Sequence, residues 1–163
     1  MSHTVDDADD QQGRHGRSAV QKGAAVVGVV FLLVGVLGFI PGVTTPYREL
    51  AFAGHHSEAQ LLGLFQVSVL HNVVHLAFGV AGLLLARTPL RARNYLFYGG
   101  LVYAVLFFYG IVVDYESKAN VVPVDDADNV LHLVLAIGML TLAFLLDRGP
   151  GWERVVRQGR ARV

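Results

Sequence analysis

The chain has 163 residues, 53% hydrophobic and only 16% charged, whereas about a quarter of a soluble domain is charged. Thirteen basic residues balance thirteen acidic ones, which removes any global attraction to nucleic acid. Cysteine is absent, which excludes disulfides, thiolate metal sites and cysteine catalysis.

The distribution of charge matters more than its amount. No Asp, Glu, Lys or Arg occurs in 23–47, 61–86, 95–113 or 129–146. A bilayer core of about 30 Å requires about 20 apolar residues as a helix. The pattern therefore predicts an all-α, integral membrane four-helix bundle over 20–148. The helices are expected near 23–40, 61–86, 95–113 and 129–146. None of these runs shows the alternation of a barrel strand, and in lipid the backbone must satisfy its own hydrogen bonds.

In chain order, residues 1–19 are polar, acidic and then basic, which reads as a disordered cytoplasmic tail. The long acidic lead argues against a cleaved signal peptide. Pro41-Gly42 ends the first span, Arg87-Thr88-Pro89 the second, Asp114 the third and Asp147-Arg148-Gly149-Pro150 the fourth. Residues 149–163 form a basic cytoplasmic tail.

Orientation follows from Lys and Arg. With the N-terminus inside, the inner segments hold eleven of the thirteen, and the outer loops only Arg48 and Lys118. That is a strong positive-inside bias for N-in, C-in topology. Tyr95 and Tyr98 then belong to the inner aromatic belt, Tyr109 and Tyr115 to the outer one. A faint internal echo links 71–76 (HNVVHL) with 128–133 (DNVLHL). It would make the halves two repeated helical hairpins in one orientation, as in some transporters.

The second span carries Gln66, Ser68, His71, Asn72 and His75. Polar groups at membrane depth are costly and usually face the bundle interior. Ser68, His71, His75, Gly79 and Gly82 recur at helical spacing and predict one stripe. His71, His75, His132 and Asp128 would converge in the outer half of the bundle if the second and fourth helices face each other. The bland reading makes Asn72, Ser68 and the histidines interhelical hydrogen-bonding glue. The alternatives are a haem or divalent metal held by His71, His75 and His132, or a proton relay in which Asp128 orients His132. His71-Asn72 lacks the glutamate of a zinc-protease helix, so proteolysis is not expected. Ser68, His71 and Asp128 name a hydrolase triad without a nucleophile elbow around the serine. Gly54-His55-His56-Ser57-Glu58 is read as a solvated outer loop.

Three stretches together, 29–42 (VVFLLVGVLGFIPG), 61–75 (LLGLFQVSVLHNVVH) and 128–133, resemble domain-of-unknown-function family 4383, small four-helix bacterial membrane proteins. Its motif positions fall here on Phe39, Pro41, Gly42, Gly63, Phe65, Gln66, His71, Asn72, His75, Asp128, Asn129 and His132. The resemblance implies four spans and a bacterial plasma membrane, and brings no activity. The expectation is a structural or interaction role in the cell envelope, without enzyme activity. Its partners would be the bilayer and either a homo-oligomer or another membrane protein.

Overall fold

The computed structural model describes residues 16–54, 56–115, 117, 119–120, 122 and 124–146. The tail at 149–163, most of the tail at 1–19, and His55, Glu116 and Lys118 lie outside the described residues. Four helices dominate: α1 (Ala19–Leu37), α2 (Val69–Leu85), α3 (Pro89–Val112) and α4 (Asp126–Leu145). Between α1 and α2 a small cap forms from two-residue strands, β1 (Thr44–Thr45), β2 (Gln60–Leu61) and β3 (Phe65–Gln66), antiparallel in that order.

The second helix therefore starts eight residues later than the charge-free run suggests. Leu62 and Gly63 both have positive φ, which breaks a helix and turns β2 back onto β3. Ser68 then caps α2, its Oγ accepting the His71 N–H. Ala51 and Phe52 carbonyls accept the Val69 and Leu70 N–H groups, and the Ser68 carbonyl accepts that of Asn72. The orphan donors of the first three helical residues are thus satisfied, and the Asn72 bond is the first within the helix. Gln66 and Ser68 are not on the helical stripe, and His71 sits in the first turn.

The other helices keep their expected places with shifted ends. At the start of α1, Gln21 Oε1 accepts from both the N–H and the hydroxyl of Ser18. Gln21 Nε2 donates to the carbonyls of Ala86 and Arg87, closing the far end of α2. Thr88 caps α3, and Pro89 occupies its first turn, where no intrahelical donor is needed. The helix thus carries Arg91 and Arg93 beyond the apolar run. Asp125 caps α4, which begins three residues ahead of the expected start.

Helices α1, α3 and α4 are long and apolar enough to cross a membrane; α2, with 17 residues, is apolar but shorter. Their outward faces expose large apolar side chains, including Val26, Val105, Phe108 and Ile137, each more than half exposed. So continuous an apolar surface is at home in hydrocarbon rather than water. The interior core gathers Phe31, Tyr95, Leu96, Tyr103 and Met139. Tyr95 is not in an aromatic belt: it is 6% exposed and donates its hydroxyl to the Phe78 carbonyl.

The close helix pairs are α1 with α2 and α3 with α4, and α1 against α3 joins them. The two pairs share a pattern of residues and contacts. One fixed interval along the chain carries Gly28, Phe31 and Gly38 onto Gly100, Tyr103 and Gly110. A second carries Ser68, Asn72, His75 and Leu83 onto Asp125, Asn129, His132 and Leu140. The contacts repeat as well. A Cβ on Gly28 would lie 3.0 Å from Leu83 N, and one on Gly100 3.1 Å from Leu140 N. Gly38 is pressed against the Asn72 amide, and Gly110 against that of Asn129. Ser68 and Asp125 both cap their helices. The echo in the sequence is thus accompanied by matching glycine contacts and matching helix caps.

Candidate functional site

This pattern places aromatic rings at the centre. Phe31 lies 5.4 Å from His75 at an interplanar angle of 50°. Its counterpart, Tyr103, lies 5.5 Å from His132 at 47°. Phe31 and Tyr103 then stack on each other at 5.5 Å and 13°. Equivalent residues meet each other in this way beside a two-fold axis.

Toward the cap, this aromatic centre opens into a cavity of about 240 Å³. Ser68, His71, His75, Tyr103 and His132 supply its polar lining, and Leu70, Val74, Val102 and Leu106 most of the rest. The three imidazoles lie within electrostatic reach of one another. They meet although α2 and α4 do not pack along one another, because Phe31 and Tyr103 bridge the space between those helices. Leu70 and Val74 of α2 and Val102 of α3 are exposed on the apolar surface, so the cavity opens sideways, between α2 and α3.

The hydrogen bonding is incomplete. His75 Nδ1 lies 2.9 Å from the His71 carbonyl one turn back. A carbonyl only accepts, so Nδ1 carries a proton, and in the neutral ring Nε2 presents a lone pair. The His71 and His75 rings stack at 4.3 Å, 9° from parallel. Buried His132 Nδ1 has no hydrogen-bond partner among the described residues. Ser68 Oγ accepts the backbone N–H of His71, not its ring, which removes the triad arrangement.

Two further expectations change. Asp128 does not line the cavity and does not orient His132. Its Oδ2 accepts the Gln66 N–H at 2.9 Å and the Asp125 N–H at 3.4 Å, tying β3 to the start of α4. It occupies the position equivalent to His71, so the two pairs differ there. Asn72 is fully buried, yet neither of its amide atoms has a partner among the described residues. The interhelical glue expected of it is replaced by contact with Gly38. Ser57, read as part of a solvated loop, is buried and donates to the Val67 carbonyl.

No group of three or more His, Asp or Glu among the described residues has an arrangement that could hold a metal ion. Tyr103 was not singled out from the sequence. A tyrosine midway along a charge-free run, at helical spacing from Gly99 and Gly100, was the available signal.

A helical bundle with so apolar an outer surface belongs to the class of helical membrane proteins. The chain belongs to the family described as domain of unknown function DUF4383, whose family model matches residues 21–145. No curated protein and no solved structure matches it.

Proposed function

We propose that this is an intramembrane binding protein whose histidine-lined cavity takes the uncharged, hydrogen-bonding headgroup of an amphiphile arriving from the lipid phase. The observation that carries this reading is the gathering of three histidines, His71, His75 and His132, around a cavity that opens through an apolar wall, with the buried Nδ1 of His132 unpartnered among the described residues. A polar group without a partner in such surroundings costs several kcal/mol, and a ligand or trapped water removes that cost. Among the described residues no Asp, Glu, Lys or Arg lines the cavity, so an ionic headgroup would meet no counter-charge from them.

In this reading all four helices cross a bacterial plasma membrane, α2 included, since it runs alongside α1. Both termini are cytoplasmic, as the positive-inside bias favours, and the cap and cavity lie toward the outer face. A scaffold role in the envelope is compatible with the same bundle but makes no use of the three histidines. A proton relay would use the histidines but has no support from Asp128, which is bonded to the cap.

The test is mass spectrometry of protein extracted directly into polymer-bounded native nanodiscs. Wild type should retain an uncharged amphiphile near one per chain. Val102→Trp, at the lateral mouth, should lose it while melting normally. The same bulk-lipid profile in both proteins would refute the reading.

A further inference from the structure

The cavity's chemistry narrows the ligand, granting that it binds an amphiphile at all. Its size comes first. A dry cavity of about 150 Å³ holds a benzene ring, so about 240 Å³ accommodates an aromatic ring with substituents. The lining comes second. The parallel His71 and His75 rings and the Tyr103 ring offer flat faces, which favour a planar aromatic guest over a flexible alcohol.

Polarity comes third. Because the His71 carbonyl fixes a proton of His75 on Nδ1, Nε2 of the neutral ring can only accept. A ligand carbonyl would set two acceptors against each other there, whereas a ligand hydroxyl donates. A second polar atom of the guest can meet the Tyr103 hydroxyl.

The exit is the fourth constraint. Val102 and Leu106 of the cavity also line an adjoining apolar groove with Leu101 and Val105. Val102 is shared again with a third depression, running past Phe78, Ala81 and Leu85 toward Arg91 and Asn94. These form one continuous track along α2 and α3, from the cavity to the opposite end of the bundle. Such a track suits a long uncharged hydrocarbon tail attached to the ring.

We infer that the cavity binds an isoprenoid hydroquinone, its hydroxyl donating to His75 Nε2, its ring against the His71, His75 and Tyr103 rings, and its tail along the α2–α3 groove. The site discriminates the reduced from the oxidised form by the direction of one hydrogen bond.

The experiment measures equilibrium binding of a benzohydroquinone carrying two isoprene units, and of the matching benzoquinone, to the full chain in nanodiscs. The hydroquinone is held reduced under anaerobic conditions. The hydroquinone should bind about tenfold tighter, the ratio expected of one buried hydrogen bond gained rather than opposed. His75→Phe preserves a ring against Phe31 and should bring the two affinities together. Equal affinities in wild type overturn the inference without any variant, and so does tenfold discrimination that survives in a folded His75→Phe. A polyprenol or diacylglycerol that binds in a His75-dependent manner while the hydroquinone does not would refute the ring assignment and leave the cavity reading standing. Failure of every uncharged amphiphile to bind would end both.

Discussion

Replacing Gly79 by alanine probes the contact on which the first hairpin is built. A Cβ at that position would lie 2.7 Å from Leu32 N and 2.8 Å from Gly28 O. Both atoms are backbone, so no rotamer change relieves the clash, and ordinary van der Waals contact begins near 3.4 Å. The helices α1 and α2 must move apart by roughly 0.5–1 Å, a gap that forfeits a quarter to a half of each lost pair attraction. Overpacking of this kind costs about 1–3 kcal/mol. Gly138 is the matched control, since it is helical and a Cβ there meets nothing within 4 Å. Alanine improves intrinsic helix propensity by about 1 kcal/mol at both sites, so the difference between the two variants isolates the clash. Reversible unfolding in mixed micelles, followed by circular dichroism, should place Gly79→Ala about 1–3 kcal/mol below Gly138→Ala. Equal stability would refute the tight backbone crossing.

The other expectations are more local. Gly100→Ala in the second hairpin, whose Cβ would meet Leu140, should be destabilising in the same assay, as Gly28→Ala should be at the matching position of the first. Asp128→Ala removes the acceptor for the Gln66 N–H; stability should fall by about 1–2 kcal/mol, and hydrogen exchange at Gln66 should rise about tenfold. Unchanged protection would show that Asp128 does not hold the cap. Tyr103→Phe keeps the stack on Phe31 and should leave stability within about 0.5 kcal/mol while weakening ligand retention. A periplasm-active reporter fused after Lys118 should be on, and one fused after Arg91 off; the reverse would invert the orientation.

Much of this architecture is written in the placement of charge. The gaps between ionised residues located four helices, because a charge is the one thing a membrane-depth helix rarely carries. The same rule misjudged the ends. Leu61, Leu62, Gly63, Leu64 and Phe65 look like span by hydropathy, but the positive φ of Leu62 and Gly63 makes them a hairpin. Conversely, Arg91 and Arg93 lie within α3, whose start is set by Thr88 and Pro89 rather than by polarity.

The histidines were legible as a group, since His71 and His75 share a helix face and His132 is the outlying imidazole of the echo. Their meeting through Phe31 and Tyr103 was not, because sequence spacing fixes neighbours within a helix but not which helices pack. Asp128 was misread for the same reason: its partner is the Gln66 N–H, 62 residues away. The echo showed itself over six positions because elsewhere the matching residues are scattered and partly substituted: glycines answer glycines at Gly28 and Gly100, but phenylalanine answers tyrosine at Phe31 and Tyr103, and serine answers aspartate at the helix caps.

The central claim is that the cavity beneath the cap is occupied from the lipid. The most direct measurement is a high-resolution electron cryomicroscopy structure of the full chain in native nanodiscs, with a rigid binder to the cap to provide mass. The account predicts planar density within hydrogen-bonding distance of His75 Nε2, continuing out between α2 and α3 past Val102. A cavity closed by repacked side chains, or filled only by ordered waters with no density at the lateral mouth, would contradict it.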